Sequence, residues 1–247
     1  MVRQRMDHDR AGLHTVSGVD LRGIIQKSEA ILFDFDGPVC SVFAGSPPHE
    51  VAAGLIRILR DHQQPDETLR DFHTNDPLEV LRYSERFGPA VVGLIEDALI
   101  AAELHAIRAA TPTPGGAQSI RNCVDSGRLA AIVTNNSAEA VDDYIASHGL
   151  LQLVHVIVGR HHGRPDLMKP SGEPLKRALE ALAVDASVAV FVGDSPSDIV
   201  AGRAAGTVCV GLANKPAKWR RLSGADSVIG DMAVLADQLD ASPARRA

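Results

Sequence analysis

The chain lacks the features that mark secreted, zinc-binding and membrane-spanning proteins. Its 247 residues include three cysteines, an odd number, which lie far apart and form no CxxC pair. Neither a disulfide framework nor a zinc knuckle is therefore predicted. The amino-terminal residues contain no apolar stretch of the kind that a secretory signal requires. The longest apolar region, residues 89–110, is interrupted by four charged side chains that a lone spanning helix would bury at high cost. We therefore expect a cytoplasmic protein with no membrane partner.

The chain also has fewer basic residues than acidic ones, 25 against 31. The formal net charge is −6, which opposes the binding of polyanions, so no nucleic-acid partner is expected. The basic stretch at residues 215–221 is more typical of a charged outer helix face than of a nucleic-acid contact. With 45% hydrophobic and 23% charged residues, the composition is that of an ordinary globular protein. We expect a monomer or a homodimer.

The order of apolar patterns predicts an α/β fold. AILFDF at residues 30–35 has the short, continuous apolar run of a buried strand, whereas residues 48–110 follow helical periodicity without a convincing strand. From residue 119 onward, helix and strand patterns alternate, which predicts a Rossmann-like parallel sheet with helices on both faces. The helical stretch predicts a small α-helical cap domain inserted after the first strand. The predicted divisions are an α/β core at 29–40 and 111–240, a helical cap at 41–110, a loosely ordered extension at 1–28 and a tail at 241–247.

The first polar motif comes at the end of the first predicted strand. Asp34 and Asp36 precede Gly37 in FDFDGP. Residues two apart on an extended backbone point to the same side, so both carboxylates can face one crevice at the strand end. One can attack a phosphorus atom while the other serves the leaving oxygen and then deprotonates water. The alternative is that one of them only caps the turn at the glycine.

A second acidic pair follows a later strand, in FVGDSPSD. Asp194 and Asp198 flank Pro196, which suits the first position of a helix, so the two carboxylates lie on one face of the opening turn. Together with Asp34 they form a cluster of hard oxygen ligands that suits Mg²⁺. The alternative role for Asp194 or its neighbour Ser195 is a helix N-cap.

Two further segments supply groups that can bind phosphate. Thr134 and Asn135 follow the apolar run LAAIV, where a hydroxyl and a helix amino terminus offer hydrogen-bond donors. Lys169 is the first lysine after Lys27 in a chain that uses arginine at most of its basic positions, which indicates that a compact point charge is needed there. The alternative for Lys169 is a solvated surface position.

These four segments resemble the motifs of the haloacid dehalogenase superfamily, whose phosphatases carry DxDG, a Ser or Thr, a Lys and GDxxxD in this order. The resemblance extends over residues 30–235. It implies that Asp34 is the nucleophile that forms an aspartyl phosphate, and that Asp36 is the general acid and base. It also implies a small cap between the first and second motifs, which closes over the core and selects the substrate.

The same resemblance implies the remaining roles. Thr134 and Lys169 would bind the phosphate, while Asp34, the backbone carbonyl of Asp36, and Asp194 would coordinate Mg²⁺. Asp198 would orient that metal site. One departure from the family pattern is Pro38, which follows the motif glycine and removes a backbone N–H. We expect altered loop geometry there with the chemistry retained.

The predicted function is Mg²⁺-dependent hydrolysis of a small phosphorylated metabolite. A phosphomutase that forms the same Asp34 intermediate and transfers its phosphoryl group to a sugar stays open, as does a catalytically silent interaction protein on the same scaffold. A phosphonate hydrolase of this superfamily would need a cap lysine, and residues 41–110 contain none. For contacts to the leaving group we select Arg82 among the basic residues of the predicted cap, which are Arg57, Arg60, Arg82, Arg86 and His105.

Overall fold

A computed structural model describes residues 20–62 and 67–244 of the chain. Within them, six strands form one parallel sheet in the order β5-β4-β1-β6-β7-β8, and β2 and β3 form a separate antiparallel pair. This architecture confirms the predicted Rossmann-like parallel sheet. The strands are β1 (Ala30–Phe33), β2 (Cys40–Ser41), β3 (Thr111–Pro112), β4 (Leu129–Val133), β5 (Val156–Val158), β6 (Ala189–Gly193), β7 (Val208–Leu212) and β8 (Ser227–Ile229).

Helices flank this sheet and fill the segment between β2 and β3. Side-chain caps mark several helix starts, as at Asp20, Asp76 and Ser137, where an oxygen accepts a hydrogen bond from a free backbone N–H of the first turn. The α-helices of the described residues are α1 (Leu21–Lys27), α2 (Pro48–His62), α3 (Glu67–Arg70), α4 (Pro77–Ser84), α5 (Pro89–Ala106), α6 (Gly116–Asp125), α7 (Ala138–Ser147), α8 (Glu173–Leu182), α9 (Pro196–Ala205), α10 (Pro216–Arg221) and α11 (Met232–Asp240).

Alternate residues of the central strand β1 pack on opposite faces of the sheet. Ile31 and Phe33 join a core with α1, α6, α7 and α11, whereas Ala30 and Leu32 join a core with α8 and α9. All four residues are fully buried, as expected for a parallel strand covered on both faces. The predicted placement of helices on both faces is confirmed.

The register of the sheet aligns the ends of its central strands. Phe33, the last residue of β1, pairs with Ile132 of β4 and with Val192 of β6. The carboxyl ends of these three strands therefore meet at one edge, which is where open α/β sheets bind their ligands.

Residues 42–110, which we call the helical insertion, contain α2 to α5 and have an apolar core of their own. Leu55, Leu59, Leu81 and Ile95 are buried in it, and Met168 from the sheet side packs against it. The chain leaves the sheet at β2 and returns at β3, where the two crossings pair with each other. The assignment of this segment as a separate cap domain stays a prediction.

Within the described residues, parts of the two segments expected to be loose are ordered. Residues 21–27 form α1 rather than a loose extension, because Leu21, Ile24 and Ile25 share one helix face and are buried against the sheet. Ser242, in the expected tail, is also buried, and its carbonyl accepts a hydrogen bond from Arg128 Nη1 at 2.6 Å. Residues 1–19 and 245–247 lie outside the described residues.

Among the described residues, no helix combines the length and apolar character needed to span a bilayer.

Candidate active site

The polar motifs meet at the aligned strand ends. Asp34 follows β1, Thr134 follows β4 and Asp194 follows β6. The sheet ladder continues one residue beyond β1, because the backbone N–H of Asp34 donates to the carbonyl of Val192 at 2.8 Å. Each polar side chain is thus fixed by a buried strand directly before it.

Lys169 lies between two of the motif carboxylates. Its Nζ is 2.8 Å from Asp34 Oδ1 and 2.7 Å from Asp198 Oδ1, and the side chain is only 2% exposed. Burial lowers the pKa of this ammonium, but attraction by Asp198 and Asp34 outweighs burial and leaves it raised. The surface-lysine alternative is therefore wrong, since Lys169 is a buried cation held by two carboxylates.

Asn135 and Arg82 hold the backbone of Lys169. Asn135 Oδ1 accepts from the Lys169 N–H at 2.8 Å, and Asn135 Nδ2 donates to the Lys169 carbonyl at 3.1 Å. Arg82, from α4 of the helical insertion, donates to the same carbonyl at 3.0 Å. Both side chains thus contact the lysine backbone, which suits positioning. Their predicted roles in binding phosphate and substrate stay predictions.

The Thr134 hydroxyl is buried and bonded locally. It donates to Asn136 Oδ1 at 3.1 Å and accepts from the Asn136 N–H at 3.1 Å. Thr134 is only 1% exposed, and it lies in the wall of the cavity described below.

Burial shapes the acidity of the first motif. It raises the pKa of Asp34 to about 8, with a further contribution from Asp198 that Lys169 opposes. Burial also raises the pKa of Asp36 to about 6, against a hydrogen bond that its Oδ1 accepts from the Val42 N–H at 3.0 Å. Asp36 is therefore able to hold and release a proton near neutral pH.

The turn after Asp36 requires glycine. Gly37 has φ +115°, and a Cβ placed there would lie 2.4 Å from Asp194 Cγ. Its N–H donates to the Cys40 carbonyl at 2.7 Å, and its own carbonyl accepts from Thr113 Oγ1 at 2.6 Å. The turn is thus tied to both chain crossings without a donor from Pro38.

Asp198 contacts both the start of α9 and the buried lysine. Its Oδ2 accepts hydrogen bonds from the N–H groups of Asp194 and Ser195, at 3.1 and 3.0 Å, in a capping box at the start of α9. Its Oδ1 faces Lys169. The close approach to the strand end depends on Gly193, where a Cβ would lie 2.3 Å from Asp198 Cβ.

Asp194 has a partner that the sequence did not reveal. Its Oδ2 forms an ion pair with Lys218 of α10. Burial raises the pKa of Asp194, and Lys218 acts in the opposite direction. Lys218 belongs to the basic stretch assigned to an outer helix face, and that assignment is wrong for this lysine because its ammonium reaches the site.

The carboxylates form a group that can hold a metal ion. Oxygen atoms of Asp34, Asp194 and Asp198 lie within 4.8 Å of one another, and an all-oxygen donor set suits hard divalent cations. The Asp198 oxygens already serve Lys169 and the capping box, so Asp34 and Asp194 are the better placed ligands. The donor set fits a divalent cation, and Asp198 fits an orienting role.

A buried ionic network joins the helical insertion to the sheet and was not identified from the sequence. Arg160, in the loop after β5, pairs with Glu96 at 2.5 Å and with Glu103 at 2.9 Å, and all three side chains are at most 1% exposed. Arg160 also donates to the Asn135 carbonyl at 2.6 Å. The sequence feature that could have indicated this network is the pair of acids Glu96 and Glu103. They are seven residues apart in the mostly apolar α5 and therefore lie on one helix face.

Glu103 contacts the loop that follows Thr134. Its Oε2 accepts from the Ser137 N–H at 2.9 Å, and its Oε1 accepts from Asn136 Nδ2 at 3.2 Å. The helical insertion therefore helps to fix the loop that carries Thr134 and Asn135.

A cavity of about 350 Å³ lies between the strand ends and the helical insertion. It is bordered by Asp34, Asp36, Thr134, Asn135, Lys169, Asp194 and Asp198 from the motifs. Arg82 and the other basic residues considered for substrate contact are not part of its wall among the described residues. The wall contributed by the helical insertion consists of Phe43, Pro48, Asn75, Asp76, Pro77, Leu78, Leu99 and Glu103.

Two curated relatives align with most of the chain. One is the validoxylamine A 7'-phosphate phosphatase of Streptomyces hygroscopicus subsp. limoneus, 27% identical over 73% of this chain and 84% of that protein. Another is the N-acetylmuramic acid 6-phosphate phosphatase of Pseudomonas aeruginosa, 26% identical over 86% of this chain and 95% of that protein. Other curated relatives align more briefly, over 33% or 34% of this chain and 18% to 36% of their own length.

Solved structures share the fold. The crystal structure of CbbY from Rhodobacter sphaeroides in complex with phosphate matches with a TM-score of 0.65 at 22% identity, covering 86% of this chain and 99% of that one. A family model described as haloacid dehalogenase-like hydrolase matches residues 51–212. Because this match covers well over half of the chain, the chain belongs to the haloacid dehalogenase-like hydrolases, and the resemblance predicted from its four motifs is confirmed.

Proposed function

We propose that the chain hydrolyses the phosphate monoester of a small metabolite through an aspartyl phosphate on Asp34, with Mg²⁺ as cofactor. The observation that carries this proposal is the position of Asp34, which lies at the cavity wall within 2.8 Å of the Lys169 ammonium. The enzyme class, a phosphoric monoester hydrolase of the haloacid dehalogenase type, follows from the family membership and from the phosphatases among its relatives.

Asp34 would attack first. One carboxylate oxygen forms a bond to phosphorus as the bond from phosphorus to the ester oxygen breaks, and the alcohol leaves. A bound divalent cation would favour the ionised form of this buried carboxylate and offset negative charge on the phosphoryl oxygens. Asp34 and Asp194 would hold that cation, with Asp198 orienting the site.

Asp36 would move the proton. With its pKa raised to about 6, it can be protonated when the ester bond breaks and give that proton to the leaving oxygen. In the second step the Asp36 carboxylate takes a proton from a water molecule, which attacks phosphorus and releases inorganic phosphate. Asp34 is thereby regenerated, and the proton and phosphoryl balance closes over one turnover.

Lys169 would bind the phosphoryl oxygens, and Thr134 would contribute a hydroxyl. The ammonium already lies beside the nucleophile, so a phosphate that contacts Lys169 is also close to Asp34. Asn135 supports this role because it fixes the lysine backbone from both sides.

The test is Asp34→Asn, which keeps the shape of the side chain and removes the nucleophile. Phosphate release from an aryl phosphate is measured with and without Mg²⁺, and circular dichroism checks the fold. We expect loss of turnover in a folded protein, whereas Asp143→Asn, an exposed change on α7, retains activity. Turnover that is unchanged in Asp34→Asn would refute the mechanism, and transfer of phosphate to a sugar instead of water would identify a mutase.

A further inference from the structure

The wall of the cavity that faces the strand ends carries no positive charge. In the described residues, the helical insertion supplies three polar groups, Asn75, Asp76 and Glu103, and otherwise apolar side chains such as Phe43 and Leu99. A leaving group that extends from the phosphate toward this wall would meet amide, carboxylate and hydrocarbon.

Three arginines of the helical insertion contact groups outside the cavity. Arg82 donates to the Lys169 carbonyl, Arg60 donates to the Leu69 carbonyl at 3.4 Å, and Arg86 lies over the Tyr83 ring, 5.2 Å from its centroid. None of these three arginines borders the cavity. Lys169 is the one cation in the described wall, and it already contacts two motif carboxylates.

The two acids of this wall differ in how far they are neutralised. Glu103 is paired with Arg160 and is almost fully buried. Asp76 is exposed, and its Oδ1 accepts a hydrogen bond from the Leu78 N–H at 2.9 Å as the N-cap of α4. No ion pair involves Asp76 among the described residues, so its charge is available to a ligand.

These charges decide which leaving groups fit. A second negative group on the substrate would be repelled by the Asp76 carboxylate and would find no cation of the wall beside it. A hydroxyl can bond to Asn75 or Asp76, and an ammonium gains the attraction of the Asp76 carboxylate in addition. We propose that the chain prefers phosphate monoesters of amino alcohols or amino sugars, and that Asp76 selects for their ammonium group. This inference rests on the proposed phosphatase function.

A series of three compounds of matched size tests the preference. They are 2-aminoethyl phosphate, 2-hydroxyethyl phosphate and phosphoglycolate, which carry an ammonium, a hydroxyl and a carboxylate at the same position. In a hexose series, glucosamine 6-phosphate and glucose 6-phosphate repeat the comparison of ammonium with hydroxyl at C2, and the open-chain 6-phosphogluconate adds a carboxylate at C1. We expect kcat/KM to fall from amine to alcohol to acid in both, by about threefold to tenfold at each step, as for one nearby charge in a hydrated site.

Asp76→Asn tests the assigned residue. Asparagine is an equally good N-cap, so α4 should be kept while the charge is removed. We expect the ratio of kcat/KM for amine over alcohol to fall by about threefold to tenfold. Asp97→Asn is the control outside the cavity, because Asp97 lies on α5, is 74% exposed in its side chain, contacts His162 and is not part of the cavity wall. It should leave the ratio unchanged.

Different failures have different meanings. Hydrolysis of an aryl phosphate together with a preference for the acids would overturn this inference and leave the phosphatase function intact. That result would direct attention to the open groove outside the cavity, which includes Arg57 and Arg60 and shares Asn75 with it. An unchanged ratio in Asp76→Asn would overturn the role of Asp76. Absence of hydrolysis for every ester, including the aryl phosphate, would overturn the phosphatase function as well.

Discussion

Replacement of the buried Arg160 by methionine should destabilise the protein far more than replacement of the exposed Arg164 by methionine. The substitution removes the guanidinium that contacts both Glu96 and Glu103, whose side chains are at most 1% exposed. It also removes the donor to the Asn135 carbonyl. Two buried carboxylates would then lack their shared cation.

The expected magnitude follows from burial. Removing one partner of a buried ion pair costs about 3–5 kcal/mol, because the remaining charge keeps its desolvation penalty without compensation. For a chain of this size, each kcal/mol lowers the melting temperature by about 2–4 °C. We therefore expect Arg160→Met to melt about 6–20 °C below the wild type.

Arg164→Met provides the matched control. Arg164 pairs with Asp166 at 2.7 Å, a distance close to that of the buried pair, but the two side chains are 53% and 47% exposed. Solvent screens such pairs and they contribute little to stability. Thermal melts followed by circular dichroism, with urea unfolding as a second readout, compare the two variants.

Equal melting temperatures for Arg160→Met and Arg164→Met would contradict this expectation. The Arg160 network would then contribute no more to the free energy of unfolding than an exposed ion pair does. Its contacts between the helical insertion and the strand-end loop would not stabilise the protein. If the reasoning holds, Arg160→Met should also lose activity below its melting temperature, because the loop carrying Thr134 and Asn135 loses a donor.

Two further predictions follow from local geometry. Gly37→Ala should reduce turnover strongly and cost about 1–3 kcal/mol of stability, because the φ of Gly37 is +115° and an added Cβ would collide with Asp194. The control Gly93→Ala in α5, where the Cβ has open space, should be neutral or slightly stabilising. Equal effects of the two variants in turnover assays and thermal melts would contradict the prediction. All three cysteines are buried, and burial raises the pKa of each thiol. A colourimetric thiol reagent should therefore react with no cysteine in the native protein and with all three in denaturant. Rapid labelling of the native protein would contradict this prediction.

The fold could be predicted because apolar runs and their periods are local signals. Alternation of strand and helix after residue 119 predicted the parallel sheet, and the polar residues directly after β1, β4 and β6 predicted the site edge. The first helix was missed although Leu21, Ile24 and Ile25 have helical spacing, because seven residues with one cap give a weak pattern beside a charged segment. Strand ends were also less certain, since β1 stops at Phe33 rather than residue 35.

Two sets of ionic contacts between distant parts of the chain could not be predicted. Lys218 was judged by its basic neighbours, and nothing in that stretch indicates that its ammonium reaches Asp194, 24 residues away in sequence. Glu96 and Glu103 were visible as interruptions of an apolar helix, but their partner Arg160 lies in another part of the chain. Both sets of contacts depend on how separate parts of the chain pack together, which residue spacing does not encode.

Asp198 shows why a structural and a functional interpretation of one residue need not compete. As the third residue of α9 it belongs to a capping box with the N-cap Ser195, and its Oδ2 accepts hydrogen bonds from the N–H groups of Asp194 and Ser195. The same geometry turns Oδ1 toward Lys169, which in turn contacts Asp34. The start of α9 therefore fixes the lysine ammonium relative to the nucleophile, so the hydrogen bonds that begin the helix also set the distance on which the chemistry depends.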